Sequence, residues 1–247
     1  MIRYFGGRIV FPETLLRSLR ASVRRTAFAG VLSMALSGLA GCAGPLAFVP
    51  VTPLLSAALS TRGDDMRTSD QILALQKKGD WSAMAKLAQD KLLRDPANAD
   101  SWVLLGYSLL QLNQVPEAVQ ALTRATGVNP EDIDAWNLLA EAQRRAGQPG
   151  ASSRTLERAL SVDPTSPVTR FLMGEAYREN GQPARAAEAY REAVRISPRM
   201  AYGWYGLGVV LMPNATAAEL DEIAARLATL EPGLAREFAQ LRAAAKR

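Results

Sequence analysis

The 247-residue chain contains no histidine and a single cysteine, Cys42. Those two scarcities remove imidazole catalysis, His/Cys zinc sites and intramolecular disulfides together. Also missing are a G-x-S-x-G nucleophile elbow and a G-x-x-x-x-G-K-[ST] phosphate loop, so neither an activated serine nor a nucleotide cradle is legible. Acidic pairs such as Glu131 and Asp132 directly follow a proline, where negative charge favours the start of a helix. The sequence reads as a non-enzyme, with no catalytic residues, no metal and no cofactor. Aromatic residues make up only 6% of a chain that is 48% hydrophobic, so the expected core is largely aliphatic, and disorder throughout is excluded.

Excess charge of either sign is absent from most of the chain. The formal net charge is +5, but residues 1–41 carry Arg3, Arg8, Arg17, Arg20, Arg24 and Arg25 against Glu13 alone. Taking these from the totals of 29 basic and 24 acidic residues leaves 23 of each from Cys42 onward. A basic footprint for phosphate contacts is therefore missing, and no nucleic-acid partner is expected.

What is present begins with an uncharged stretch from Thr26 to Thr61, preceded by the arginine-bearing segment. That is the positive-then-apolar order of an export signal. Its apolar part, Ala27 to Gly41, is 15 residues long, short of the roughly 20 that cross a hydrocarbon core. Pro45, Pro50 and Pro53 would interrupt any longer helix. The stretch ends in Leu39-Ala40-Gly41-Cys42, which resembles the lipobox of bacterial lipoproteins at every position. The plain alternative is a lone cysteine at the end of a transmembrane anchor. The resemblance implies cleavage before Cys42, three acyl chains and a stable anchor, since one chain alone holds only marginally. Ala43 is not the aspartate that retains enterobacterial lipoproteins in the inner membrane, so the expected place is the outer membrane, facing the periplasm. The arginine-bearing segment is long for such a signal, and translation is expected to start near Val23. Residues 1–41 thus read as a signal peptide and residues 42–64 as a lipidated, proline-interrupted tether.

The remainder repeats. Pro96, Pro130, Pro164, Pro198 and Pro232 are each 34 residues apart, and a fixed period of this size marks stacked units. The same offset links Trp102, Trp136 and Trp204, with Arg170 as the exception; it links Gly106, Ala140, Gly174 and Gly208; and it links Gly79, Asn113, Gly147 and Gly181. Trp102, Leu105, Gly106 and Leu109 form one stripe of a first helix, and Ala118, Leu122 and Ala125 form the facing stripe of a second. The Gly/Asn column supplies a left-handed residue to stop the first helix, and the proline column stops the second.

This pattern resembles the tetratricopeptide repeat in its Trp, Leu-Gly, Ala and Pro columns. The resemblance implies an all-α chain, a right-handed α-solenoid of about five helix-turn-helix units. The units run over 65–98, 99–132, 133–166, 167–200 and 201–233, inside a domain spanning 65–247. The first unit has a short, poorly marked first helix, and the last has Leu220 where a small residue is usual. A capping helix over 234–245, with Leu234, Phe238 and Leu241 at helical spacing, is expected to cover the final apolar face.

In stacked units of this kind the first helices line a concave groove. Its expected contact residues are Tyr107, Asn137, Glu141, Arg144, Phe171, Glu175, Arg178 and Tyr205, giving a groove apolar at its ends and charged in the middle. Two plain alternatives stay open. Tyr107, Leu110 and Val209 could pack between repeats, and Glu141–Arg144 and Glu175–Arg178, each three apart, could form intrahelical pairs. The expected partner is another protein or peptide, a component of a cell-envelope assembly such as a pilus or secretion system. The alternative function is a periplasm-facing lipoprotein that binds a peptide or cell-wall ligand.

Overall fold

The computed structural model describes residues 65–245, with side chains from Asp70 onward. The lipobox residues Leu39, Ala40 and Gly41, the cysteine Cys42 and the tether lie outside these residues. The described residues form eleven helices and no strand. In chain order they are α1 (Asp65–Lys78), α2 (Trp81–Arg94), α3 (Ala99–Gln111), α4 (Val115–Val128), α5 (Ile133–Arg145), α6 (Pro149–Val162), α7 (Pro167–Glu179), α8 (Pro183–Ile196), α9 (Ala201–Leu211), α10 (Ala217–Leu230) and α11 (Pro232–Ala245). The first ten pair into five antiparallel hairpins, and each second helix packs on the first helix of the next hairpin. This is the α-solenoid that the 34-residue period predicts. One expectation is corrected: α1 has 14 residues and is as long as α2, although Ile72 alone is buried among its described side chains.

The column residues explain the boundaries. The first helices α3, α5 and α7 start at side-chain caps. Asn98 Oδ1 accepts from Ser101 N at 2.8 Å, Asp132 Oδ1 from Asp134 N and Ala135 N, and Ser166 Oγ from Thr169 N. Each such bond satisfies backbone donors that a helix start leaves open, worth about 1 kcal/mol. The turn into the second helix uses positive φ at Gly79 (67°), Asn113 (61°), Gly147 (74°) and Gly181 (70°), conformations cheap for glycine and tolerable for asparagine. The tryptophan and proline columns serve each other. Trp102, Trp136 and Trp204 donate from Nε1 to the carbonyls of Pro96, Pro130 and Pro198 at 2.9, 2.8 and 2.9 Å. This latches α3, α5 and α9 to the end of the preceding hairpin. Arg170, the exception in its column, makes no such bond.

Packing between the two layers follows from small residues facing large ones. A Cβ placed on Gly106 would lie 2.5 Å from Leu122 Cγ, and one on Gly174 would lie 2.5 Å from Tyr190 Cε1. Ala140 and Leu156, the equivalents between them, are both fully buried. The last hairpin differs. Pro213 cannot supply a helical N–H, and α9 ends at Leu211 with a five-residue connection to α10. Thr216 and Glu219 then restart the chain with reciprocal capping bonds.

Candidate partner-binding groove

The inner row of the solenoid is made by α3, α5, α7 and α9, and the residues expected to contact a partner lie along it. Their side chains are less available than the sequence suggests. Tyr107, Glu141, Glu175 and Tyr205 are at most 2% exposed, and Asn137, Arg144 and Phe171 are also buried; only the Arg178 side chain, at 25%, is substantially accessible. The expectation that Asn137, Glu141, Arg144, Phe171 and Glu175 stand out into a groove is thus corrected. They are committed to each other and to neighbouring repeats, for reasons that differ from residue to residue.

Charge is the first reason. Arg144 donates from Nε and Nη2 to the two Glu141 oxygens at 2.9 Å each, and Arg145 Nε reaches Glu141 Oε1 at 2.8 Å. Arg144 Nη1 also bonds Glu179 on the next first helix. Arg178 continues the chain, donating to Glu175 Oε2 at 2.7 Å and to Glu179 Oε1 at 3.4 Å. The Tyr190 hydroxyl, entering from α8, donates to Glu175. The pairs Glu141–Arg144 and Glu175–Arg178 are therefore intrahelical ion pairs, the first buried and the second partly so, and their networks bridge α5 to α7 and α7 to α8. Burial alone would raise the Glu141 carboxyl, yet Arg144 and Arg145 together hold it below its ordinary value. For Tyr190 burial acts first and the Glu175 charge second, and both raise the phenol.

Packing is the second reason. Tyr107 meets Trp81 edge-on with centroids 5.7 Å apart, Phe171 lies 5.9 Å from Tyr190, and Tyr205 lies 6.3 Å from Phe238. Asn137 Oδ1 accepts from Thr169 Oγ1 at 3.0 Å, joining α5 to α7. The accessible part of the row is a set of half-buried side chains, among them Asp134, Val168, Arg178, Glu179 and Val209. Asp134 is set apart by its acidity. Burial, and then the nearby Asp132 carboxylate, push its pKa up to about 7.

Sequence reasoning missed Arg145, Glu179, Thr169 and Tyr190 as members of this network. A signal for two of them exists. Arg144 to Glu179 and Arg145 to the Leu110 carbonyl (3.1 Å) both span 35 residues, one more than the period, so an arm on one first helix reaches the residue one step beyond its own equivalent. Tyr190 is in a column that otherwise holds only aliphatic residues (Ala88, Leu122, Leu156 and Ala224), and nothing local shows that its hydroxyl crosses to the inner row. Among the described residues no helix is long and apolar enough to cross a membrane, and no acidic or sulfur cluster is placed to hold a metal.

A family model described as "Tetratricopeptide repeat" matches residues 69–126 and 103–167, and another described as "TPR repeat" matches 174–214. No curated protein matches the sequence significantly. Among solved structures, MamA from Desulfovibrio magneticus RS-1 is 15% identical, with 76% of this chain and 97% of that chain covered at a TM-score of 0.56. TTC0263, described as a thermophilic TPR protein in Thermus thermophilus, is 16% identical over 75% and 97% of the two chains, with a TM-score of 0.57. YrrB, described as a TPR protein with an unusual peptide-binding site, is 18% identical over 68% and 88%, with a TM-score of 0.55. At these identities the likeness is one of fold. With the 34-residue columns, the paired helices and the family matches in agreement, the chain belongs to the tetratricopeptide-repeat family of helical interaction scaffolds.

Proposed function

We propose that this chain is a lipid-anchored interaction scaffold of the cell envelope, held in the outer membrane through Cys42 and facing the periplasm. In this role it captures a component of an envelope assembly, such as a pilus or secretion system, on its first-helix face. The carrying observation is the continuous inner row of α3, α5, α7 and α9, braced from repeat to repeat by buried charge and rings. A braced row presents its accessible side chains at fixed spacing, and preorganisation of this kind lowers the entropic cost of association. The mixture along the row of Asp134, Arg178 and Glu179 with Val168 and Val209 suits a peptide or helix with apolar anchors beside charges. The anchor rests on the Leu39-Ala40-Gly41-Cys42 match. Because Arg144 is locked between Glu141 and Glu179, partner contacts fall on the accessible residues rather than on Arg144.

Cys42→Ser tests the anchor. In fractionated cells the variant is expected to leave the membrane fraction while its helical circular dichroism is unchanged; full retention in the membrane would refute lipid anchoring. Purification of the native chain from detergent-solubilised membranes tests the role. Recovery of a stoichiometric envelope protein supports assembly, whereas recovery of cell-wall fragments or short peptides alone favours a ligand-binding lipoprotein.

A further inference from the structure

The outer face, made by the second helices, is closed between α6 and α8 and open between α8 and α10. The closing group is Tyr177 of α7, which is 6% exposed. Arg185 stacks over its ring at 4.1 Å from the centroid and donates from Nη2 to its hydroxyl at 2.7 Å. The same guanidinium comes within 4.0 Å of Glu157, so α8 is tied to α6 across the ring. One period later every member of that cluster is exchanged. Tyr177 becomes Leu211, Arg185 becomes Glu219 and Glu157 becomes Arg191, while Arg170, whose charge reaches Tyr177, becomes Trp204. All four replacements line a cleft of about 490 Å³ between α8, α9 and α10, a size that accepts a large side chain or small ligand.

The exchange leaves both a space and a charge. Leu211 is shorter than a tyrosine, and Glu219 cannot act as a lid because its Oε2 accepts from the backbone N–H and hydroxyl of Thr216 at 2.8 and 2.9 Å. Trp204 and Leu207 give the cleft an apolar floor. Of the guanidinium groups around it, Arg195 pairs with Glu192 at 2.8 Å and Arg226 approaches Glu222 at 3.9 Å. Arg191 is exposed and has no ion pair among the described residues, although its field reaches Glu219.

We propose that this cleft is a second docking site, for a segment of a partner protein that presents an aromatic side chain beside a carboxylate. The ring enters over Trp204, Leu207 and Leu211, where one repeat earlier the chain supplies Tyr177 itself. The carboxylate pairs with Arg191, the cation left over when the Glu157–Arg185 tie is reversed. A wholly polar segment would leave the apolar floor wet, and a basic one would meet Arg191 as a like charge. The site stands on the opposite face from the inner row and does not depend on the function proposed for that row.

The test uses the full chain, labelled with nitrogen-15, and N-acetyl-phenylalanine as the probe, with N-acetyl-phenylalanine amide as its uncharged counterpart. The Trp204 indole N–H signal is assigned from Trp204→Phe. The acid is expected to shift that signal together with the Leu207 and Leu211 amides in the millimolar range. The amide should bind roughly fivefold more weakly, as one accessible ion pair is worth up to about 1 kcal/mol. Arg191→Glu should weaken the acid by at least as much, and Leu211→Tyr should abolish the shifts by refilling the cleft from within. Because Arg191 is exposed, its variant keeps the fold and decides the matter alone if Leu211→Tyr does not fold. Equal binding of acid and amide, shifts unaltered in Arg191→Glu, shifts confined to the inner row, or no shift at all would each overturn the proposal. Self-association of the free chain that Arg191→Glu abolishes would make a second copy the occupant and overturn it as well.

Discussion

In the hairpins α3/α4 and α7/α8, the small residue of the first helix meets a large side chain of its own second helix: Gly106 meets Leu122 and Gly174 meets Tyr190. In α9/α10 the register equivalent of Tyr190 is Ala224, and the space over Gly208 is filled chiefly by Phe238 of α11, whose Cε2 would lie 2.6 Å from an added Cβ, with Ile223 of α10 behind it at 3.0 Å. The inner hairpins therefore close on themselves, while the last is closed largely by a helix outside it. A capping helix does more here than shield apolar surface from water; it completes a layer that its neighbour leaves unfinished. The same region carries the shortened α9 and the open cleft on the outer face. End repeats have fewer neighbours to satisfy, and their sequence is correspondingly freer to depart from the pattern.

The sharpest way to break this contrast is Phe238→Ala. It should cost about 3–5 kcal/mol, as other buried aromatic truncations do. Native-state hydrogen exchange should show the loss confined to α9, α10 and α11, with α3 to α6 protected as before. Next in size is Glu141→Gln, which leaves Arg144 and Arg145 facing a neutral amide and should cost about 3 kcal/mol in urea unfolding at pH 7. Its pH dependence has a definite sign. The Glu141 carboxyl is held below its ordinary 4.5, so its contribution is present above that value and lost as pH falls through the lower, folded one. The Gln variant should lack that part of the acid limb. Gly174→Ala should cost about 1–3 kcal/mol by forcing the Tyr190 ring aside, detectable as a lowered melting temperature.

The smallest effect expected has the opposite sign. The Asp134 pKa is raised from 3.8 to about 7, so the folded chain holds a proton that the unfolded chain has released between those values. Stability falls as pH rises through that window. Asp134→Asn should flatten this fall and gain about 1 kcal/mol at pH 8, discounted for the partial exposure of the side chain.

The fold was legible in the sequence because its determinants repeat. A column that recurs every 34 residues reports a contact made by each unit in turn, as the Trp–Pro carbonyl bonds show at three of four positions. The site was less legible, because periodicity says which face a residue occupies and not what it meets there. Glu141 and Arg144 have the spacing of an exposed pair, and only the stacked structure reveals Glu179 closing over them from the next repeat. Tyr190 looks like a core residue, which it is, but its hydroxyl also serves the inner row. The filler of Gly208 was hidden for another reason. Phe238 lies outside the repeat, so no column points to it.

Capture on the first-helix face is tested most directly by site-specific photo-cross-linking in intact cells. A photoreactive phenylalanine is placed at Val168 or Arg178 on the inner row, and at the exposed Arg158 of α6 on the outer face, away from the α8–α10 cleft. Cross-links to one envelope protein from Val168 and Arg178, with none from Arg158, are the expected result. Cross-links from Arg158 with none from the inner row would contradict it.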